Sequence, residues 1–423
     1  MRYFVQKYRI LCEKNERIIL TNEKFTSVFG GICAAKNFYA ASATAGIKKS
    51  QKSDLGIIYS DISCVTAGTF TTNRVKAACV LVNGELLPTD NIRAIICNSG
   101  NANACTGERG INDAKKIAQS VETALNLKKD TVLTASTGII GEFIPLDKIV
   151  SVVPDLTKKL SRDGANSFAT AIMTTDTKEK ECAYEIQLSQ GKFIIGGCCK
   201  GAGMIAPNMA TMLGFITTDL IIDINELSAI HKKTVDCTFN NVTVDGDTST
   251  NDMVIVLANG SSGVSIQDEK DKIIVEEAFF TVYNELCAKI AADGEGATKR
   301  VEIRVSNGKC FFDCKLAAKS VANSNLTKCA MFGNDPNWGR ILCAAGYSGA
   351  AFDLEKVVVK LCETIVFENG SPAKFDAEKL SEKMREKLVL IEIDLGFANN
   401  TFAVAHTCDF SYDYVKINAE YHT

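Results

Sequence analysis

Three histidines serve a chain of 423 residues: His231, His406 and His422. A Ser-His-Asp or Cys-His enzyme must spend one of them as its general base. His231 stands in a polar, helix-like stretch, NELSAIHKKTV, and reads as a solvated residue, while His422 is the penultimate residue. Acyl chemistry in this chain would therefore draw its base from elsewhere. No apolar run approaches the ~18 residues of a membrane helix. The first twenty residues, MRYFVQKYRILCEKNERIIL, hold no continuous apolar core, and Glu13 and Glu16 argue against a transit peptide, so the cytoplasm is the expected address. The formal net charge is only -3, and no basic cluster offers a surface for nucleic acid or an anionic membrane. The G-x-x-x-x-G-K-[ST] phosphate loop is absent, as are C-x-x-C pairs and zinc-like Cys/His spacings. Proline is scarce, at six residues, and no low-complexity linker marks a domain boundary.

Cysteine, by contrast, is plentiful. Seventeen scattered thiols, an odd number, fit a reducing compartment and not a disulfide framework. Cys79, Cys97 and Cys343 lie in strand-like runs and read as small core hydrophobes. Helix-like and strand-like segments alternate along the whole chain. AACVLVNGELL and NIRAIICNSGNAN read as strands. INDAKKIAQSVETALNL and KIIVEEAFFTVYNELCAKIAADGEG read as helices, the second stopping in a glycine-rich loop. DAEKLSEKMREKL predicts a helix capped by Asp376 with Leu380, Met384 and Leu388 on one face, followed by the strand VLIEIDLG. The expected fold class is α/β, with mixed sheets packed beneath covering helices.

The most unusual stretch is GGCCKGAGMIAPNMATMLGFITTD, Gly196 to Asp219. Gly201 and Gly203 permit tight turns, Pro207-Asn208 signals another, and Met212 to Thr218 reads as a buried strand. Thr211 thus falls where a loop enters a core strand. That position suits self-cleavage, in which a threonine hydroxyl attacks the carbonyl before it, here that of Ala210. Water then resolves the ester and frees an α-amine with a reference pKa of ~8, a base adjacent to its own hydroxyl. An ordinary glycine-rich turn, or a phosphate-cradling loop, accounts for the same residues equally well. Asp245, Asp247 and Asp252 in NNVTVDGDTSTND superficially suggest a calcium loop but lack its later glutamate, so a structural turn is expected and no metal. The single tryptophan, Trp338, reads as a packing anchor.

The segment KGAGMIAPNMATML closely resembles the cleavage motif of the ornithine acetyltransferase (glutamate N-acetyltransferase) family of arginine biosynthesis. GIKKSQKSDLGIIYSD, TFTTNRVKAA, CNSGNANACTG, ASTGIIGEFIP, IMTTDT, NNVTVDGDTSTND, ADGEGATK, FGNDPNWGRIL and DYVKINAEY resemble further blocks of the same family, in family order, from about Gly30 to Thr423. The resemblance implies a self-cleaving, N-terminal-nucleophile-like acetyltransferase fold. It implies residues 30–210 and 211–423 as the two chains left by a cut between Ala210 and Thr211, with residues 1–29 an extension of unassigned role. It implies transfer of acetyl from N-acetylornithine to glutamate through acetyl-Thr211, with an oxyanion hole at Thr137 and Gly138. Thr174, Lys200, Thr211, Glu295, Asn418 and Thr423 match its substrate contacts, Thr175 being the alternative to Thr174. Glu420 stands where the family usually has aspartate. No cofactor is implied, acetyl-CoA is left open as a co-substrate, and pairing into an α2β2 assembly is expected. The rival reading is a related self-cleaving aminopeptidase or amidase that releases the acyl group to water.

Overall fold

The computed structural model describes residues 24–206 and 212–420. These form a mixed α/β fold in two compact units, one of residues 24–236 and 247–286, the other of residues 237–246 and 287–420. The larger unit carries the strands β1 (Phe25–Ser27), β2 (Phe38–Ala43), β3 (Leu55–Phe70), β4 (Thr89–Asn101), β5 (Val132–Ile139), β6 (Lys180–Gln187), β7 (Lys192–Lys200), β8 (Leu213–Thr218) and β9 (Met253–Ala258). They form one sheet in the order β1-β6-β7-β8-β9-β3-β4-β5, with β2 also paired to β3. Two neighbouring pairs, β8–β9 and β4–β5, are parallel, and the rest are antiparallel. Every residue of β8 and β9 is buried, which is why neither shows the alternation of a half-exposed strand. The strand expected at Met212 to Thr218 is therefore present as β8.

Two readings of this unit need correction. AACVLVNGELL is not a strand; Ala78–Leu86 is a helix. Its buried residues include Ala78, Cys79, Val80, Val82 and Asn83, so it is apolar almost all round and carries no periodic signal. Tertiary bonds fix it: Asn83 Nδ2 donates to the Thr134 carbonyl at 2.8 Å, and its Oδ1 accepts from the Thr134 amide at 3.2 Å. His231 is not solvated. It lies on the helix Ile224–Cys237 and is 1% exposed. Its Nδ1 is 2.7 Å from the Tyr283 hydroxyl and its Nε2 is 3.1 Å from the Val254 carbonyl, so Nε2 carries the proton. Burial pushes its pKa down to about 3. Burial likewise takes His406, on β15 (Phe402–Cys408) of the smaller unit, down to about 4.

The smaller unit holds β10 (Arg300–Ser306), β11 (Val358–Leu361), β12 (Thr364–Glu368), β13 (Ser371–Pro372), β14 (Leu388–Asp394) and β15, in the order β13-β12-β11-β14-β10-β15. β10 and β14 run parallel, and the other pairs are antiparallel. β14 alternates as expected, with Val389, Ile391 and Ile393 inward. Asp376 caps the helix Ala377–Lys383 by accepting the Lys379 amide at 3.1 Å. That helix stops before Leu388, which is instead the half-exposed first residue of β14. Cys343 is not a core residue either: it is exposed, because the helix Trp338–Gly346 turns Ile341, Ala344 and Ala345 to the core and Cys343 away. Trp338 does anchor packing, its ring 5.3 Å from that of Phe367 against this core. Composition concealed the division into units because no proline or glycine linker separates them; the helix Glu269–Ala292 runs unbroken through the boundary at residues 286 and 287.

Candidate active site

In the larger unit, the ends of β4, β5 and β7 contribute to one polar cluster. β4 and β5 run parallel and place Ser99 beside Thr137 and Gly100 beside Gly138. A bulge follows, where Asn101 pairs with both Thr137 and Ile139. Gly138 has φ +136°, and a Cβ there would lie 2.3 Å from the Gly100 carbonyl carbon and 2.5 Å from the Asn101 nitrogen. Glycine is therefore obligatory, and the two backbones approach as closely as they do because neither carries a side chain. Thr137, just before it, is buried.

Lys200 ends β7 and faces Leu213 at the start of β8. The strand ends flanking residues 201–212 are thus adjacent. Lys200 is buried, and its Nζ donates to Thr137 Oγ1 at 3.4 Å, a long bond. Such burial requires compensation by opposite charge. Asp176 supplies it. Burial alone would raise its carboxyl, but the charges of Lys200 and Lys180 hold it well below the usual carboxylate range. Lys180 Nζ donates to Asp176 Oδ1 at 2.7 Å, the Gly201 amide to the same oxygen at 2.6 Å, and the Thr174 amide to Oδ2 at 3.0 Å. One carboxylate therefore fixes the Thr174 backbone, the exit of β7 and the charge of Lys200 together. Asp252, at the entry to β9, is the other buried acid here. Burial raises its pKa well above the carboxylate range, against the opposing pull of the Met212 amide and of Lys200.

The smaller unit contains a second cluster. Glu295 follows the helix Glu269–Ala292 and is buried. Asn418, on the helix Tyr412–Glu420, donates through Nδ2 to Glu295 Oε2 at 2.8 Å. The loop is tied to the segment preceding that helix at several points. The Thr298 and Lys299 amides donate to Asp409 Oδ1 at 2.8 and 3.0 Å, and the Ser411 hydroxyl donates to the Gly296 carbonyl at 2.5 Å. Gly296, at φ +69°, has no room for a side chain, since a Cβ would sit 2.5 Å from the Tyr414 nitrogen.

The structure thus brings Thr137, Gly138 and Lys200 together, with Thr174 joined through Asp176, and it brings Glu295 and Asn418 together. Ala210, Thr211 and Thr423 lie outside the described residues. Reading motifs missed Asp176 and Lys180 as parts of the site and took Asp252 for a turn residue. All but Lys180 lie inside the quoted blocks IMTTDT and NNVTVDGDTSTND, but only burial and bonding distinguish them from their neighbours. Asp247 is exposed in its turn and Asp245 half-buried, whereas Asp252 is buried. Among the described residues, no group of three His, Cys, Asp or Glu side chains could hold a metal ion.

Comparison with known proteins agrees with these motifs. The model of the ArgJ family matches residues 39–423. The arginine biosynthesis bifunctional protein ArgJ of Symbiobacterium thermophilum is 43% identical over 398 residues, covering 93% of this chain and 99% of that protein. Its counterpart in Caldanaerobacter subterraneus subsp. tengcongensis is 45% identical over 400 residues, again 93% of this chain and 99% of that one. Among solved structures, the ornithine acetyltransferase of Mycobacterium tuberculosis complexed with ornithine is 36% identical, with a TM-score of 0.41, and matches 44% of this chain and 98% of that chain. The family model and these near-full-length relatives settle the assignment: the chain belongs to the ArgJ family of arginine biosynthesis.

Proposed function

We propose that this chain cuts itself between Ala210 and Thr211 and then carries acetyl on Thr211 from N2-acetyl-L-ornithine to L-glutamate. The observation that supports this most strongly is that buried Lys200, at one of the two strand ends that flank residues 201–212, reaches Thr137, next to the tightly packed Gly138. In the cut, Thr211 Oγ adds to the Ala210 carbonyl, the C–N bond breaks, and water hydrolyses the resulting ester. Ala210 becomes a carboxylate and Thr211 a free N-terminus. In transfer, the Thr211 amine takes the proton of its own hydroxyl as Oγ adds to the acetyl carbon. The Thr137 hydroxyl and the Gly138 amide hold the oxyanion. The proton passes to the departing α-nitrogen, and ornithine leaves. The glutamate α-amine then attacks the ester by the reverse path, regenerating the Thr211 hydroxyl.

Both substrates carry an α-carboxylate, which suits Lys200. N-acetylornithine adds a distal ammonium, which suits Glu295 with Asn418 beside it. Thr174 and Thr423 complete the proposed contacts. The two chains, 30–210 and 211–423, each supply residues to this chemistry and remain associated, pairing into α2β2 in the cytoplasm. The relatives are named bifunctional; for this chain the second activity is acetylation of glutamate by acetyl-CoA, tested with those two substrates alone. One nucleophile serving donor and acceptor in turn predicts parallel double-reciprocal lines. Intersecting lines would contradict a shared acetyl-enzyme. Release of free acetate without transfer to glutamate would favour the amidase reading.

A further inference from the structure

Asn251 and Asp252, the two residues that lead into β9, are both buried, at 5% and 3% exposure. Each grips a different part of the cluster described above. The Asn251 side-chain amide donates to the Ser136 carbonyl at 2.7 Å and to the Ala102 carbonyl at 2.6 Å. Its own oxygen accepts the Thr250 hydroxyl at 2.6 Å. Ser136 immediately precedes Thr137, and Ala102 immediately follows the bulge at Asn101. One side chain therefore staples the two strand ends where Gly100 and Gly138 pass each other.

Asp252 acts on the other side. Its carboxyl accepts the Met212 amide, while the Met253 amide donates to the Met212 carbonyl at 3.0 Å. Met212 is thereby held on both sides of its α-carbon at the mouth of β8. The Asp252 carbonyl is itself fixed by the Thr71 amide at 3.0 Å. The second carboxyl oxygen, Oδ2, is buried with no hydrogen-bond partner among the described residues. Buried polar atoms are nearly always paired, and exceptions concentrate where structure serves function.

We propose that Asn251 and Asp252 are paired positioning residues for acyl transfer: Asp252 sets the backbone of the residue that follows the nucleophile, and Asn251 sets the Thr137–Gly138 turn against it. This rests on the reading of Thr211 as the nucleophile. The dipeptide rigidly couples the two halves of the reaction geometry through one stretch of backbone, and neither side chain needs a charge to do so. Burial favours the neutral form of the Asp252 carboxyl, so the amide of asparagine is its closest replacement. A small misplacement of reacting groups costs about a hundredfold in rate.

The test compares full-length wild type with Asp252→Ala, Asp252→Asn and Asn251→Ala. Self-cleavage is followed on a denaturing gel, kcat and KM for acetylornithine are measured separately, and melting temperature is recorded. Asp252→Ala and Asn251→Ala should slow self-cleavage and lower kcat about a hundredfold, with KM within about twofold of wild type. Asp252→Asn should restore both to within about fivefold. Should Asp252→Ala fail to fold, the asparagine variant and Asn251→Ala still decide the matter. An Asp252→Asn variant as impaired as alanine, at a native melting temperature, would overturn the positioning role in favour of charge. Alanine variants with native kcat would overturn it outright. A wild type with no cut at Ala210–Thr211 would remove the nucleophile itself, a failure read before any variant is made.

Discussion

Gly138 is the residue at which geometry and chemistry are most tightly joined. A methyl group there would lie 2.3 Å from the Gly100 carbonyl carbon, which is backbone and cannot rotate away. Gly138→Ala should therefore cost about 1–3 kcal/mol of stability by overpacking and, by moving the amide next to Thr137, lower kcat about a hundredfold. An alanine variant with wild-type kcat would remove Gly138 from the oxyanion hole. Glu295 carries a prediction from charge. A pocket that accepts a distal ammonium and then a distal carboxylate cannot hold a rigid lone anion. Glu295→Gln keeps an oxygen for Asn418 Nδ2, so the helix Tyr412–Glu420 should stay docked and self-cleavage proceed. Use of acetylornithine should weaken roughly tenfold or more, while reaction of glutamate with preformed acetyl-enzyme suffers much less. Equal loss in both half-reactions would make Glu295 part of the proton-transfer machinery. Thr137, Gly138, Lys200, Glu295 and Asn418 were all legible as parts of motifs. Asp176 and Asn251 were not, because the bonds that give them their roles reach Gly201, 25 positions from Asp176, and Ser136 and Ala102, 115 and 149 positions from Asn251, which no local pattern encodes.

Elements were legible wherever one face is buried and the other wet. The helix Gly107–Ala124 and β14 both show the period of their structure. The helix Ala78–Leu86 misled because it is apolar on nearly every side, and its β-branched content argued for a strand. Its identity rests on Asn83, so Asn83→Ala should leave the Thr134 amide and carbonyl unpaired. A loss of about 1–3 kcal/mol is expected by denaturant titration, and no loss would show that the helix is held by packing alone. The helix Ile224–Cys237 carries a second elemental prediction. His231 is neutral when folded, with a pKa of about 3, against about 6.5 when unfolded. Its folded value is depressed, so its contribution is complete above pH ~6.5 and is lost as pH falls toward 3. Replacing it with glutamine should flatten the fall in melting temperature across that window. An unchanged slope would mean that the acid response comes from other groups, such as His406.

At the scale of the whole molecule, the sequence suggests two chains and the fold has two compact units, and these are different divisions. The larger unit spans both sides of residue 211, and β7 and β8, one from each proposed chain, pair along Ile195 to Lys200 and Leu213 to Thr218. A cut at 210 would leave that ladder and the parallel β8–β9 pair intact, so the fragments should remain associated without any covalent link. Native mass spectrometry should find both fragments in one particle, and separation under native conditions would contradict a shared sheet. The central claim is tested most directly by the intact masses of the denatured protein after rapid quenching with N-acetylornithine alone. The account predicts two fragments meeting at Ala210 and Thr211, an added acetyl group on the fragment that begins with Thr211, and a single inactive chain for Thr211→Ala. An active wild type that remains one uncut chain, or turns over with no acetyl trapped on Thr211, would contradict it.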